Sequence, residues 1–225
     1  MTRSLIVLTV VAPLAAACAG GAGAGRAAAQ QTPAESVGAG AGADTVGSSA
    51  LVPAGYGTLR QDDIAIRLQL EGVQVKAIPL DEAIIRTLSP DSYRALRELQ
   101  ESRRAQVSSI ARRYGSNQYR LWYVSFFAVA PEARFSPMEF IVTNNGRDFR
   151  PLDVLPLTAG FGEQRLKVRE TQAALYLFGP ELDASQPLTV RVETTQNDDW
   201  GRVLRRIERE RALIRSRAAQ GARPQ

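Results

Sequence analysis

The chain has no histidine, one cysteine and two lysines in 225 residues. Each scarcity removes a class of chemistry. Without an imidazole to take the proton from a hydroxyl or thiol, Ser–His–Asp and Cys–His nucleophile systems are excluded. Zinc sites built on His and Cys ligands are excluded with them. Lys76 and Lys167 have Val73 and Gln164 three residues before them, so no Ser-x-x-Lys nucleophile pattern exists. A lone cysteine, Cys18, cannot close a disulfide within the chain, and stability must come from a packed core. No Walker loop is present. Gly55-Tyr56-Gly57 and Gly160-Phe161-Gly162 lack the third glycine and the strand–helix setting of a phosphate cradle, and read as turns. Carboxylate-only catalysis or an oxygen-ligated Ca²⁺ or Mg²⁺ site stays open. The acidic pairs Asp62-Asp63, Asp81-Glu82 and Asp198-Asp199 lack calcium-loop spacing, however, and read as turns or helix starts. The sequence nominates no catalytic residue, no metal ligand and no cofactor.

Long apolar runs are also missing. The first one, Leu5 to Ala12, is far short of the roughly 20 residues that span a bilayer as a helix. Arg3 precedes it, Pro13 breaks it and small residues follow, which is the order of a signal peptide. Leu14-Ala15-Ala16-Ala17-Cys18 resembles the lipobox of bacterial lipoproteins. That resemblance implies residues 1–17 as signal peptide and Cys18 as the lipid-bearing N-terminus of the mature chain. With Ala19 next, it implies the periplasmic face of the cell envelope, at the outer rather than the inner membrane of a two-membrane cell. The alternative is ordinary cleavage at an A-x-A site such as Ala27-Ala28-Ala29 and a soluble product.

Ala19 to Ala50 holds 8 glycines and 11 alanines in 32 residues, with no apolar periodicity. No face exists to bury, so ordering entropy goes uncompensated, and 18–50 reads as a flexible tether. At roughly 5–6 Å × √n its r.m.s. reach is about 30 Å.

The remaining 175 residues suffice for one domain. Net charge is +5, and residues 201–225 carry eight arginines against two glutamates, so the basic character belongs to the tail. Ile64, Ile66, Leu68 and Leu70 alternate at strand period, and the phase flips at Glu71-Gly72 to Val73, Val75 and Ala77. A hairpin or a bulge there accounts for the flip. Asp81 can cap a first helix, and Ser89-Pro90-Asp91 starts a second whose stripe is Tyr93, Leu96, Leu99, Val107, Ile110 and Tyr114, ended by Gly115. Arg103-Arg104 and Arg112-Arg113 read as its solvated face, with an anion site as the alternative. From Tyr119 the chain is apolar on both faces and aromatic, as a central covered strand is. Asn144-Asn145-Gly146 marks a hairpin between Met138–Thr143 and Arg147–Leu152. Arg165–Glu170, Ala173–Phe178 and Leu188–Thr194 are further strands.

Seven to nine short strands at this spacing predict a mainly β chain, an immunoglobulin-like β-sandwich with a helical insertion at about 81–114 and a C-terminal helix. An open α+β sheet is the alternative. Residues 51–199 then form the β-rich domain and 200–225 a basic helix and tail. In that helix Trp200, Val203, Leu204, Ile207 and Ile214 share a side, and Arg205/Glu208, Arg206/Glu210 and Glu208/Arg211 stand at ion-pair spacing. The expected function is a non-catalytic envelope lipoprotein, tethered to membrane lipid through Cys18. It would bind an envelope protein or anionic lipid through Arg205, Arg209 and Arg215. Nucleic acid is not an expected partner, since no aromatic platform adjoins the arginines. The alternatives are a small-ligand or glycan-binding module using Tyr119, Trp122, Tyr123, Phe126 and Phe127, and a carboxylate-based hydrolase.

Overall fold

A computed structural model describes residues 51–221. The signal segment, Cys18, the tether and the last four residues lie outside the described residues. The chain is mainly β, with eleven strands in three antiparallel sheets among the described residues. Ile66–Leu70 (β1), Val73–Pro79 (β2) and Arg120–Ala128 (β3) run as a meander, followed across the sheet by Thr171–Phe178 (β9) and Asp153–Pro156 (β7). The second sheet orders Thr195–Asn197 (β11), Leu188–Val192 (β10), Phe140–Asn144 (β5) and Arg147–Phe149 (β6). Ala133–Arg134 (β4) and Arg165–Leu166 (β8) pair separately.

The two main sheets pack as a sandwich, and register explains which residues fill it. In the first sheet Leu68, Val75, Phe126 and Gln172 stand abreast, as do Ile66, Ala77, Val124 and Ala174. Because side chains alternate along a strand, Trp122 and Tyr176 share that inward face. Phe140 of β5 meets them from the other sheet, its ring 6.2 Å from Trp122, 5.1 Å from Tyr176 and 6.2 Å from Phe178. The Tyr176 hydroxyl donates to the Pro137 carbonyl at 2.9 Å, and burial pushes its phenol pKa far up, so it stays neutral. At one end Phe126 stacks on Phe135, centroids 4.4 Å apart, with Phe161 edge-on to both.

The helical insertion falls where the sequence places it. Glu82–Ile85 (α1) is capped by the Asp81 carboxylate, which accepts from Ala83 N at 2.9 Å. Pro90–Arg113 (α2) begins with proline at its first turn. It ends in a Schellman turn: Ser116 N donates to Ala111 O, Gly115 N donates to Arg112 O, and Gly115 has φ +68°. Val107 and Ile110 of α2 face Leu121, Leu155, Leu175 and Leu177 on the outer side of the first sheet. That is why β3 is apolar on both faces. Tyr114, expected in the stripe, is 50% exposed, and Ala111 is buried in its place.

Two local signals resolve as hairpins. Leu70 pairs with Val73, so the phase flip at Glu71-Gly72 is a two-residue turn rather than a bulge. Asn145 and Gly146 both have positive φ, as the tight Asn-Gly turn demands. Three strand boundaries differ from expectation, and one of them, Arg165–Glu170, shrinks to the two residues of β8, Arg165–Leu166. Arg147–Leu152 stops at Phe149, and the chain crosses to the other sheet as β7. Leu188–Thr194 turns at Glu193-Thr194 and returns as β11.

Trp200–Gly221 (α3) belongs to the same body. Trp200, Ile207 and Ile214 are fully buried, and Trp200 Nε1 donates to Ala184 O at 2.9 Å. Between α3 and the α1–α2 junction runs the entry segment, 51–60. Leu59 N donates to Thr87 O and Ser89 N donates to Leu59 O, at 3.3 and 2.8 Å. Gly57 passes so close that a Cβ there would sit 2.2 Å from Thr87 O. Gly57→Ala therefore has to displace the strap from the junction. We expect a loss of about 3 kcal/mol in urea unfolding, at the upper end of overpacking costs. A loss under about 0.5 kcal/mol would show that the strap is not held against Thr87.

Candidate functional site

The C-terminal helix carries the residues that sequence reasoning nominated, and its seating decides which of them face outward. Trp200, Ile207 and Ile214 recur every seven residues, nearly two turns, so they fall on one side and bury it. Val203 and Leu204 pack partly beside them. At about 100° per residue, Arg205 and Arg209 lie on the opposite side about 40° apart and about 6 Å along the axis. Arg215 sits about 80° round from Arg205, so the structure unites two of the three nominated arginines and sets the third apart. All three are exposed. Leu213, 50% exposed, is the large apolar residue near Arg209 on the same side.

The arginines that point toward the body are all engaged. Arg206 Nη1 donates to Asp63 Oδ1 at 3.2 Å and to Asp63 O at 3.0 Å. Arg211 donates from Nη2 to Ala83 O at 2.9 Å and pairs with Glu208 through Nη1. Arg217 Nη1 donates to Glu210 Oε1 at 2.7 Å and to Tyr56 O at 2.8 Å. No carboxylate among the described residues pairs with Arg205, Arg209 or Arg215. Of the expected helix pairs, Glu208/Arg211 forms. Arg206/Glu210 does not, because Arg206 reaches back to Asp63 and Glu210 turns inward, and Arg205/Glu208 does not, Glu208 pairing with Arg211 instead.

Glu210 is the residue that sequence reasoning misread. Spacing marked it as a surface partner of Arg206, yet it is 5% exposed. Its Oε1 accepts from Thr58 N at 2.9 Å, Thr58 Oγ1 at 3.0 Å and Arg217 Nη1 at 2.7 Å. The contact joins residues 152 apart in sequence, so no local pattern announces it. Burial pushes the carboxyl up, but the hydrogen bonds from Arg217 and Thr58 outweigh it and hold the pKa below the ordinary glutamate value.

The nominated aromatics do not form one apolar site. Trp122 and Phe126 point into the sandwich, while Tyr123 and Phe127 lie on the other face of β3, as strand alternation dictates. The acidic pairs act structurally. Asp62 pairs with Arg67 and Lys76, Asp63 with Arg206, and Asp81 caps α1. On α2, Arg104 pairs with Glu101 and Arg113 with Asp153, while Arg103 meets Gln106. No cluster of three metal-ligating side chains occurs among the described residues, and no helix among them is long and apolar enough to cross a membrane.

No family model, curated protein or solved structure matches this chain. Function has to be argued from the groups themselves.

The Glu210 contact yields a pH-dependent prediction. Its folded pKa lies below the unfolded value of about 4.5, so the ionised carboxylate stabilises the fold in full above that pH. The contribution is lost as pH falls through the folded value. Glu210→Gln should cost about 1.5–3 kcal/mol at pH 7, a typical range for hydrogen bonds to a charged group. The gap to wild type should narrow on acidification from pH 5 to about pH 3. A gap unchanged over that range in denaturant titrations would mean the charge contributes nothing.

Proposed function

We propose that the protein is a lipid-anchored, non-catalytic module of the cell envelope that binds an acidic protein surface through the outward side of α3. One observation carries the reading. The arginines of α3 that face the body are engaged, whereas Arg205 and Arg209, facing away, have no carboxylate partner among the described residues. Two guanidinium groups a turn apart suit carboxylates, each offering a planar fork of donors.

A lipid surface suits this side less well. A helix lying in a membrane interface needs a free apolar face. In α3 that face is committed to Trp200, Ile207 and Ile214 inside the core, and Leu213 alone is left outward. The anchor reading rests on sequence, on Leu14 to Cys18, and supplies the compartment. A tether reaching about 30 Å lets the domain stand off the membrane and meet a partner there.

Two measurements test the proposal. The mature protein from the membrane fraction should begin at Cys18 and carry lipid mass that a Cys18→Ala copy lacks. An unmodified chain in soluble fractions would remove the anchor. For the surface, a photocrosslinker at position 209 in membrane-bound protein should yield a protein adduct that one at position 94 does not. Exchanging Arg205 for Glu in the 209-labelled chain should abolish it. No adduct, the same adduct from both positions, or lipid adducts alone would overturn the acidic-partner reading.

A further inference from the structure

A cleft opens where the start of β3, one stripe of α2 and the loop after β9 meet. Its volume is about 70 Å³, room for one small functional group rather than a whole cofactor. Arg97, Gln100 and Arg104 line it from α2 at spacings of three and four, which places them on one side of that helix. Arg120 enters from β3. Pro79, Leu80, Leu121, Trp122, Leu182 and Ala184 supply the apolar part of the wall.

The charges in this wall cancel. Three guanidinium groups, Arg97, Arg104 and Arg120, face three carboxylates, Asp81, Glu82 and Glu101. Arg97 bridges Glu82 at 3.3 Å and Glu101 at 3.1 Å, Arg104 holds Glu101 at 2.8 Å, and Arg120 lies 3.8 Å from Asp81. Glu82 is further held by Arg86 at 2.7 Å and by the Tyr93 hydroxyl at 2.8 Å. An added anion would meet three carboxylates and an added cation three guanidinium groups.

Two buried polar atoms in the same wall have no partner: Gln100 Oε1, an acceptor, and Arg120 Nε, a donor. The Gln100 amide is oriented by its own Nε2, which donates to Leu80 O at 2.9 Å, so the buried oxygen is the end left unpaired. Buried polar atoms are normally paired, and an orphaned donor and acceptor in one neutral cleft specify what would pair them.

We propose that this cleft binds a neutral amide, a peptide group or carboxamide, whose carbonyl accepts from Arg120 Nε and whose N–H donates to Gln100 Oε1. A carboxylate or phosphate could satisfy Arg120 but would set lone pairs against Gln100 Oε1. An ester lacks the N–H and leaves that oxygen unpaired. A hydroxyl offers the same single-atom bridge as water, and gains little over the water it displaces. The carbons flanking an amide meet Leu80, Leu121 and Leu182, which water cannot exploit. This inference rests neither on the anchor nor on the arginines of α3.

The test is a side-chain NMR titration of ¹⁵N-labelled mature protein with N-methylacetamide, methyl acetate, isopropanol and sodium acetate. The amide should shift the Arg120 Nε–H and Gln100 Nε2 signals saturably, at least tenfold more tightly than the other three, because a site with buried hydrogen-bonding groups rejects analogues that leave them unpaired. Gln100→Met should keep the dispersed spectrum and lose the preference for amide over ester. If that variant does not fold, the wild-type series decides alone. Equal binding of amide and ester, stronger binding of acetate, or no saturable shift would overturn the proposal and leave the cleft to solvent.

Discussion

The seating of α3 rests on three side chains, Trp200, Ile207 and Ile214, whose seven-residue spacing presents one side of a straight helix to the body. Turning the helix would bring arginines into the core and leave a tryptophan in water, at a cost of several kcal/mol on either count. The rotational setting is therefore fixed by burial rather than by any charge pair. Everything on the helix surface follows from it. Glu210 is carried inward, Arg206, Arg211 and Arg217 reach the body, and Arg205 and Arg209 are turned away.

That setting also joins the two ends of the described chain. Glu210 and Arg217 hold Thr58 and Tyr56, and the opposite side of the same strap is bonded to Thr87 and Ser89 through Leu59. The strap thus lies between the C-terminal helix and the helical insertion, and the lack of a Cβ at Gly57 permits the close approach. Loosening α3 removes one wall of the strap, and loosening the strap removes the partners of a buried carboxylate. The two should unfold together, since a buried charge stripped of its partners is costly.

What the sequence made legible was local. Asn145-Gly146, the cap at Asp81, the proline at position 90 and the glycine at 115 each act within a few residues, and each held its place. The two-sheet class and both helical regions could be read because their periods of two and 3.6 are also local. What stayed hidden depends on pairing between distant segments. β7 and β11 are continuations of expected strands that change sheet or double back, β4 is two residues recognisable only by its partner, and the expected strand 165–170 keeps only the two residues, β8, that pair with it. Glu210 is the same case at a single residue. Its neighbours offered a plausible partner in Arg206, and only the fold brings Thr58 close. The aromatic run of β3 failed as a site for the opposite reason. Its period was read correctly, and that period sends neighbouring rings to opposite faces.

The excess of arginine, 26 against two lysines, is consistent with base composition alone when read from sequence. The contacts divide it. Arg97 donates from Nη1 to Glu82 and sets Nη2 3.1 Å from a carboxylate oxygen of Glu101, and Arg211 donates from one nitrogen to Glu208 and from the other to a backbone carbonyl. Arg206 and Arg217 each serve a carboxylate and a carbonyl together. A lysine ammonium is a single compact donor centre and cannot span the two-nitrogen pairs of Arg97 and Arg211 with the same geometry. At these two positions the guanidinium is a structural requirement, whatever set its abundance, whereas Arg206 and Arg217 make both bonds from one Nη1. Arg205 and Arg209 carry no such requirement from the fold, since nothing in it would change were they lysine. If selection holds them as arginine, the reason lies in what they touch outside the domain.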